Sequence, residues 1–407
     1  MFRVVIGFCG LFTCFLVPNE AKAMENPISG QKPTPAGCVR IATFNIHELD
    51  REKIDQVDDR GRGSNPQLIK AAKIIQIVRP DVLLVNEMDY DFGSGMNSPK
   101  GQNARLFFER YLAIGQGDQK PLEFPHVVFE PVNTGVPSGL DLNNDQRTDG
   151  PEDAFGYGKY PGQYGMALYS RFPAERLGIR TFRKLLWSAM PGNLLPDGKL
   201  GKPVFYTGKQ AEILRLSSKS HWDVPISLDG VTIHFLCSHP TPPVFDGPED
   251  RNGRRNHDEV RFWADYITGN EKASYIVDDN GKKGGFGSLD HFVLIGDLNA
   301  EPVRGDPVDG RRVTDLFLKH PRIQDPRPQS RGGSEANGPI LVDYRPFRTH
   351  SFGRLDYVLP SKEMVVKESG IFWPALGEPH RKLVDEPNAA SDHRLVWLDL
   401  QVGNGAK

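Results

Sequence analysis

The 407-residue chain has only four cysteines, no dominant sign of charge and no hydrophobic run long enough to cross a bilayer, the apolar run within its first 23 residues falling short of the roughly 20 residues needed. Four cysteines cannot build a disulfide scaffold of this length, so a hydrophobic core must hold the chain together. Its 50 basic and 52 acidic residues exclude a strongly basic nucleic-acid coat protein. They leave room for an enzyme that touches one or two phosphates. The chain lacks a Gly-x-Ser-x-Gly elbow and a His-Glu-x-x-His pair. Gly192 to Lys199 has one residue too many for a phosphate-cradling loop, and no Ser or Thr follows the lysine. Serine hydrolase, zinc protease and nucleoside-triphosphatase readings are all weakened.

A composition of 38% hydrophobic and 25% charged residues is that of a globular protein, and 42 glycines with 33 prolines imply many turns and long loops. Residues 1–23 read as a secretory signal peptide: Arg3 near the start, an uncharged run from Val4 to Val17, then Ala21-Lys22-Ala23 before a cleavage site at Met24. The expected location is secreted or periplasmic. Residues 24–37 read as a flexible lead-in, 38–402 as a single domain and 403–407 as a tail. Cys9 and Cys14 leave with the leader, and bulky Phe12 fits a lipoprotein signal poorly. Cys38 and Cys237 remain, either as one disulfide or as two buried thiols.

Strands are expected at Val39–Ile46, Asp81–Glu87, Tyr164–Tyr169, Ala211–Leu216, Val231–Cys237, His291–Ile295, Arg354–Leu359 and His393–Leu400. Helices are expected at Pro66–Val78 and Ala104–Leu112, with another starting at Asn256-His257-Asp258-Glu259 and continuing through Val260, Trp263 and Ile267. This alternation predicts an α/β sandwich of sheets covered by helices. Residues 90–160, 181–210, 268–290 and 302–350 read as long loop insertions.

Polar residues recur at the C-terminal ends of the apolar strands. Asn45, Glu87, His239, and Asp297 with Asn299 each follow such a run. Strand ends are where ligand clefts form, so five groups placed alike suggest one site. Two carboxylates and amide oxygens are hard ligands suited to Mg2+ or Mn2+. Asp356 stands in an apolar strand and needs a partner. Asp392-His393 immediately precedes the last strand, where one acid can fix a histidine tautomer and another remains free for metal. Pro240-Thr241-Pro242-Pro243 bends the chain out of the sheet beyond His239. His47, Asp50 and His257 read as surface or rim residues.

The ordered set Thr43-Phe44-Asn45, Asn86-Glu87, Ser238-His239-Pro240, Gly296-Asp297-Leu298-Asn299-Ala300-Glu301-Pro302, Leu355-Asp356-Tyr357 and Ser391-Asp392-His393 resembles the endonuclease/exonuclease/phosphatase family. The resemblance runs from about Val39 to Leu400. It implies a four-layered α/β/β/α sandwich of two mixed β-sheets flanked by helices. By the same resemblance Asn45 and Glu87 hold the divalent metal and Asp392 completes its site. His239 binds the scissile phosphate, Asp297 activates water, Asn299 orients the phosphate, and Asp356 pairs with a His393 that stabilises the transition state or leaving oxygen. The implied protein is a metal-dependent hydrolase of phosphodiester (nuclease-like) or phosphomonoester bonds. Its partner is a phosphate-ester substrate, with nucleic acid among the candidates. A monomer without stable membrane association is expected. The rival reading is a catalytically silent binding module on the same scaffold.

Two features lie outside these motifs. Arg251, Arg254, Arg255 and Arg261 either reach substrate phosphates or belong to a solvated helix start with internal ion pairs. In Asp141–Glu152, oxygen side chains at Asp141, Asn143, Asp145, Asp149 and Glu152 have the spacing of a loop for structural Ca2+, although Gln146 stands where glycine is expected. The other reading of that segment is a polar, turn-rich loop.

Overall fold

Runs of aliphatic and β-branched residues pair into two mixed sheets in the computed structural model. It describes residues 33–402 apart from 94–99, 229, 288–290, 306, 337, 339, 386 and 388. The expected signal peptide, residues 24–32 of the lead-in and the 403–407 tail lie outside the described residues. The strands, in chain order, are β1 (Cys38–Leu49), β2 (Val82–Met88), β3 (His126–Val128), β4 (Met166–Ser170), β5 (Arg180–Thr181), β6 (His221–Leu228), β7 (Val231–Ser238), β8 (His291–Asp297), β9 (Asp356–Pro360), β10 (Val366–Ile371) and β11 (Val396–Gln401). One sheet runs β10-β11-β1-β2-β4-β3 and the other β5-β6-β7-β8-β9. Each has a central parallel pair, β1/β2 and β7/β8, flanked by antiparallel neighbours.

The period-2 alternation of strand side chains builds the layers. Phe235, Cys237, Val293 and Ile295 join the core shared with the first sheet, while Leu236, Phe292 and Leu294 face the other way. Two four-residue-or-longer helices near the N-terminus are α1 (Arg51–Ile54) and α2 (Pro66–Val78), and α2 packs Leu68, Ile75 and Val78 into the first core. The helix starts cleanly because Asn65 accepts the N–H groups of Gln67 and Leu68, with Pro66 in its first turn. Next come α3 (Asn103–Phe107), α4 (Gly208–Ile213) and α5 (Arg251–Thr268). Helix α5 covers the second sheet with Val260, Phe262, Trp263, Tyr266 and Ile267. The result is the α/β/β/α sandwich. No helix among the described residues is long and apolar enough to cross a membrane.

Several elements differ from the sequence reading. Ala211–Leu216 is not a strand: Thr207 and Gln210 form a capping box that starts α4. Helix α5 begins at Arg251 rather than Asn256, with the Asn252 N–H held by distant Asp246. Asn256, Asp258 and Glu259 are buried anchors, not a cap. Asn256 binds the carbonyls of Thr241 and Leu298; Asp258 accepts from Trp187 Nε1 and Leu194 N; Glu259 accepts from Ser218 N and Thr241 N. The helix expected to end at Leu112 is α-helical only to Phe107 and continues as a π-helix. Strand β6 escaped notice because it carries Pro225 and Asp223. Pro225 is tolerated beyond two-residue β5, at an edge where only its carbonyl is called on, accepting the Glu175 N–H, and Asp223 is satisfied by His234 and Tyr266. Cys38 and Cys237 are free thiols in different sheets.

Candidate active site

Topology brings the strand ends to one mouth. Asn45 and Asn86 are register partners in the parallel β1/β2 pair, so Glu87 emerges beside Asn45. His239 follows the end of β7, and Asp297 ends its parallel partner β8. Antiparallel β9 starts at Asp356, directly opposite Asp297. Antiparallel β11 starts opposite Thr43, which leaves Asp392 and His393 at the Asn45 end of β1. Ser391 stitches that junction, donating to the Asn45 carbonyl (2.8 Å) and accepting from the His393 N–H (3.1 Å).

Three side chains converge on a single oxygen, Oδ2 of Asp297. Asn45 Nδ2 donates to it at 3.0 Å, His239 Nε2 lies 3.5 Å away and His393 Nε2 3.8 Å away. Oδ1 of Asp297 accepts the Asn299 N–H (2.9 Å), and Asn299, in a left-handed conformation, donates Nδ2 to Pro240 O (3.1 Å). Burial pushes the Asp297 carboxyl up, opposed by the His393 charge and by its Asn299 and Asn45 hydrogen bonds. His393 Nδ1 meets Asp356 Oδ2 at 2.8 Å. Burial disfavours charge on His393, but Asp356 and Asp297 outweigh it and hold the ring up at about 10, as an imidazolium. His239 goes the other way: burial, helped by the charges of Lys219 and His393, holds it well below the ordinary range, so it is neutral.

Glu87 adopts a left-handed backbone that is strained for glutamate, and its oxygens accept from Asn45 Nδ2 (3.1 Å) and Glu48 N (2.9 Å). Each carboxylate oxygen keeps further lone pairs for a cation. Oδ1 of Asn45 is buried without a hydrogen-bond partner. Asp392 is held well below the usual carboxylate range: burial raises it, but the His350 hydrogen bond and the charges of His393, His47 and His350 outweigh that. An ionised acid, a second carboxylate and an orphaned amide oxygen form a hard donor set that fits a divalent cation. Metal-ligand spacing itself is found in two Asp/His groups, neither of which includes Glu87: His350, Asp392 and His393; and Asp297, Asp356 and His393.

The model of the endonuclease/exonuclease/phosphatase family matches residues 42–393, a span that contains every one of these groups. The chain belongs to that family. Members of the endonuclease/exonuclease/phosphatase family are phosphoesterases or nucleases. A solved family structure from Beutenbergia cavernae shares the fold at 19% identity and TM-score 0.50, covering 90% of this chain and 72% of its own. Weaker similarity links the chain to a mannosyl-6-phosphatase from Bacteroides thetaiotaomicron (11% identity, TM-score 0.42, 89% and 99% covered) and to the human Nocturnin catalytic domain with bound sulfate (14%, 0.41, 89% and 93%). No curated protein matches the chain.

The structure adds residues to the site that the family motifs did not flag. His47, read as a rim residue, faces Glu87 and Asp392. His350 lies with its Nε2 3.5 Å from Asp392 Oδ2 and its ring 4.7 Å from that of His393. Buried Lys219 sets its charge against Glu259, Glu87 and Asp297. His350 and Lys219 lie in segments with no periodic pattern, and nothing local announced them. His257, also read as a rim residue, is buried on α5 against Asp258, while Asp50 caps α1. The arginines serve structure: Arg254 forks onto Asp309, Arg255 binds the carbonyls of Leu216, Phe155 and Arg215, Arg261 binds Pro191 and Gly192, and Arg251 pairs with Glu249. The Asp141–Glu152 segment is a stack of polar turns. Asp141 accepts the N–H groups of Asn144, Asp145 and Gln146, and Asn143 accepts that of Asp145. Asp145 accepts the Arg147 N–H, and Asp149 pairs with the Arg147 side chain. Asp153, not Glu152, closes the loop through Leu142 N and Gly150 N. Among the described residues its acids form no group of three with metal-ligand spacing.

Proposed function

We propose that this chain is an exported, divalent-metal-dependent phosphoesterase that hydrolyses phosphodiester or phosphomonoester bonds by attack of water on phosphorus. The convergence of Asn45, His239 and His393 on one buried oxygen of Asp297 carries this reading. Asn45, Glu87 and Asp392 would hold the ion. When bound, Mg2+ or Mn2+ supplies positive charge to the phosphoryl oxygens where negative charge builds up. Asp297 Oδ2 takes the proton of the attacking water, and Asn45 and the surrounding apolar strands keep that oxygen fixed and dry. As the new O–P bond forms and the old P–O bond breaks, the His393 imidazolium donates its Nε2 proton to the departing oxygen, its ring held in orientation by Asp356. Neutral His239 and the amide of Asn299 offer N–H groups to the phosphate. Donors positioned for the transition state stabilise it more than the ground state.

The test is hydrolysis of bis-p-nitrophenyl phosphate with Mg2+ or Mn2+, with and without chelator. Activity should require the ion, and Asp297→Asn should lose about 100-fold or more while remaining folded, the scale of a general base. Equal turnover in the variant would remove Asp297 from the mechanism. A full-length protein inert on DNA, RNA, cyclic nucleotides, sphingomyelin and inositol phosphates would instead be a binding module.

A further inference from the structure

We propose that Phe352 is the leaving-group contact of this site, stacking on a flat ring carried by the departing alcohol, and that the substrate is therefore a nucleotide phosphodiester rather than an ester of an aliphatic alcohol. The inference rests on the phosphoesterase reading above and narrows it. Phe352 stands at the tip of a tight turn. The His350 N–H meets the Gly353 carbonyl at 2.9 Å and the Gly353 N–H returns to the His350 carbonyl at 3.1 Å, so only Ser351 and Phe352 lie outside the bridge. The turn is held firmly. Arg348 donates to the Ser351 carbonyl (3.2 Å), and Thr349 Oγ1 accepts the N–H groups of Leu355 (2.9 Å) and Asp356 (3.1 Å). A Cβ at Gly353 would lie 2.4 Å from the Glu301 side chain, which packs against it. The Phe352 N–H itself donates to His350 Nδ1 (3.1 Å). Because Nδ1 accepts, the ring proton of His350 sits on Nε2, the nitrogen that faces Asp392.

The phenyl ring belongs to neither hydrophobic core and is 67% exposed. It rests on His350, with ring centroids 5.0 Å and planes 41° apart, and His350 in turn lies 4.7 Å from His393. Three rings thus form a stair from the imidazolium that protonates the departing oxygen out to solvent. An alcohol leaving across His393 passes His350 and meets the open side of Phe352. The groups gathered around Asp297 address the phosphate, which every candidate substrate has, so discrimination between substrates must come from beyond them. A phenyl face on a fixed backbone stacks with any nucleobase, since each has a π face, whereas a sugar without its base offers no flat ring to stack. Binding residues carried on loops need this kind of rigid support to select anything.

The full chain with Mg2+ or Mn2+ should be assayed on a thymidine dinucleotide and on two analogues in which one sugar or the other lacks its base, the products identifying which oxygen departs. Removing the base from the departing sugar should lower wild-type kcat/KM about tenfold, the scale of one base stacked on an aromatic side chain. Phe352→Ala should lose the same factor on the complete dinucleotide and nothing on the analogue whose departing sugar has no base, with an unchanged circular dichroism spectrum. Phe352→Trp, which keeps a flat ring, should behave as wild type. Equal loss on both substrates would mean a displaced His350 rather than a lost contact, and no loss would mean that the ring touches nothing that reacts. Either result overturns the proposal, as does a wild type indifferent to the departing base. If wild type turns over bis-p-nitrophenyl phosphate but not the dinucleotide, the role of Phe352 falls alone; if it turns over neither, the phosphoesterase reading falls with it.

Discussion

At the scale of single residues, His221 shows how a buried titratable group ties stability to pH. It lies inside the second sheet, its ring 4.6 Å from Phe262 and 5.2 Å from Trp263 by centroid, with Nε2 2.9 Å from the Glu259 carbonyl. A ring nitrogen facing a carbonyl must donate, so the neutral ring is satisfied as it stands. Burial pushes His221 down to about 4, against the opposing pull of the Glu259 carboxylate and carbonyl. The unfolded chain protonates this imidazole near an ordinary value of about 6.5, while the fold resists until about pH 4. Between those limits the unfolded state binds more protons, so the contribution of His221 is complete above about pH 6.5 and is lost as pH falls towards 4. The loss is on the order of 3 kcal/mol. His221→Gln keeps an N–H donor without the titration. We expect the melting temperature of wild type to fall across this window and that of the variant to fall less steeply; parallel curves would acquit His221.

At the scale of elements, the close approach of β7 and β8 turns on Gly296, the first residue of the Gly-Asp-Leu-Asn run. Its φ is 139°, and a Cβ there would lie 2.0 Å from the Ser238 carbonyl oxygen. Any side chain must push apart two strands whose next residues are His239 and Asp297. Gly296→Ala should therefore cost about 2 kcal/mol or more in urea unfolding and lower kcat/KM as well, since the same shift separates two site residues. An alanine variant with wild-type midpoint and turnover would show that the strands have slack. This glycine also marks what a sequence reveals about elements. β1, β2, β7, β8 and α2 were legible because each carries its own periodicity and stops at a polar or capping residue. The start of α5 and all of β6 were not, because their polar residues are satisfied by distant partners. Asn256 reaches Thr241 and Leu298, and Asp223 reaches His234 and Tyr266. Before folding, such a residue cannot be told from one that faces water.

At the scale of the whole molecule, the site was legible as a set of strand ends but not as a constellation. Nothing in the spacing of His47, Lys219 and His350 links them, because only the pairing of β1 with β11 and the stacking of the two sheets brings each to the carboxylates of the site. The same architecture decides the fate of the two cysteines. Cys38 opens β1, and Asn45, seven residues on, marks the end of the strand that faces the site; at about 3.3 Å per residue these ends are roughly 23 Å apart. Cys237 sits near the site end of β7, in the other sheet, so the two lie far beyond the roughly 7 Å between Cα atoms that a disulfide tolerates. Burial further pushes the Cys237 thiol well up, which keeps it protonated and unreactive. An oxidising compartment, the destination proposed for this chain, would therefore leave it with two thiols. Protein recovered from the periplasm or medium should have the intact mass of a chain starting at Met24 with both cysteines reduced. It should release two equivalents of thiol to Ellman's reagent on denaturation, with Cys237 silent in the native state, and reductant should leave its melting temperature unchanged. A mass about 2 Da lower, restored by reductant, would mean that the strands carrying Cys38 and Cys237 are not in the sheets described. Recovery of the chain only from the cytoplasm, with residues 1–23 still attached, would end the case for export while leaving the thiol argument intact.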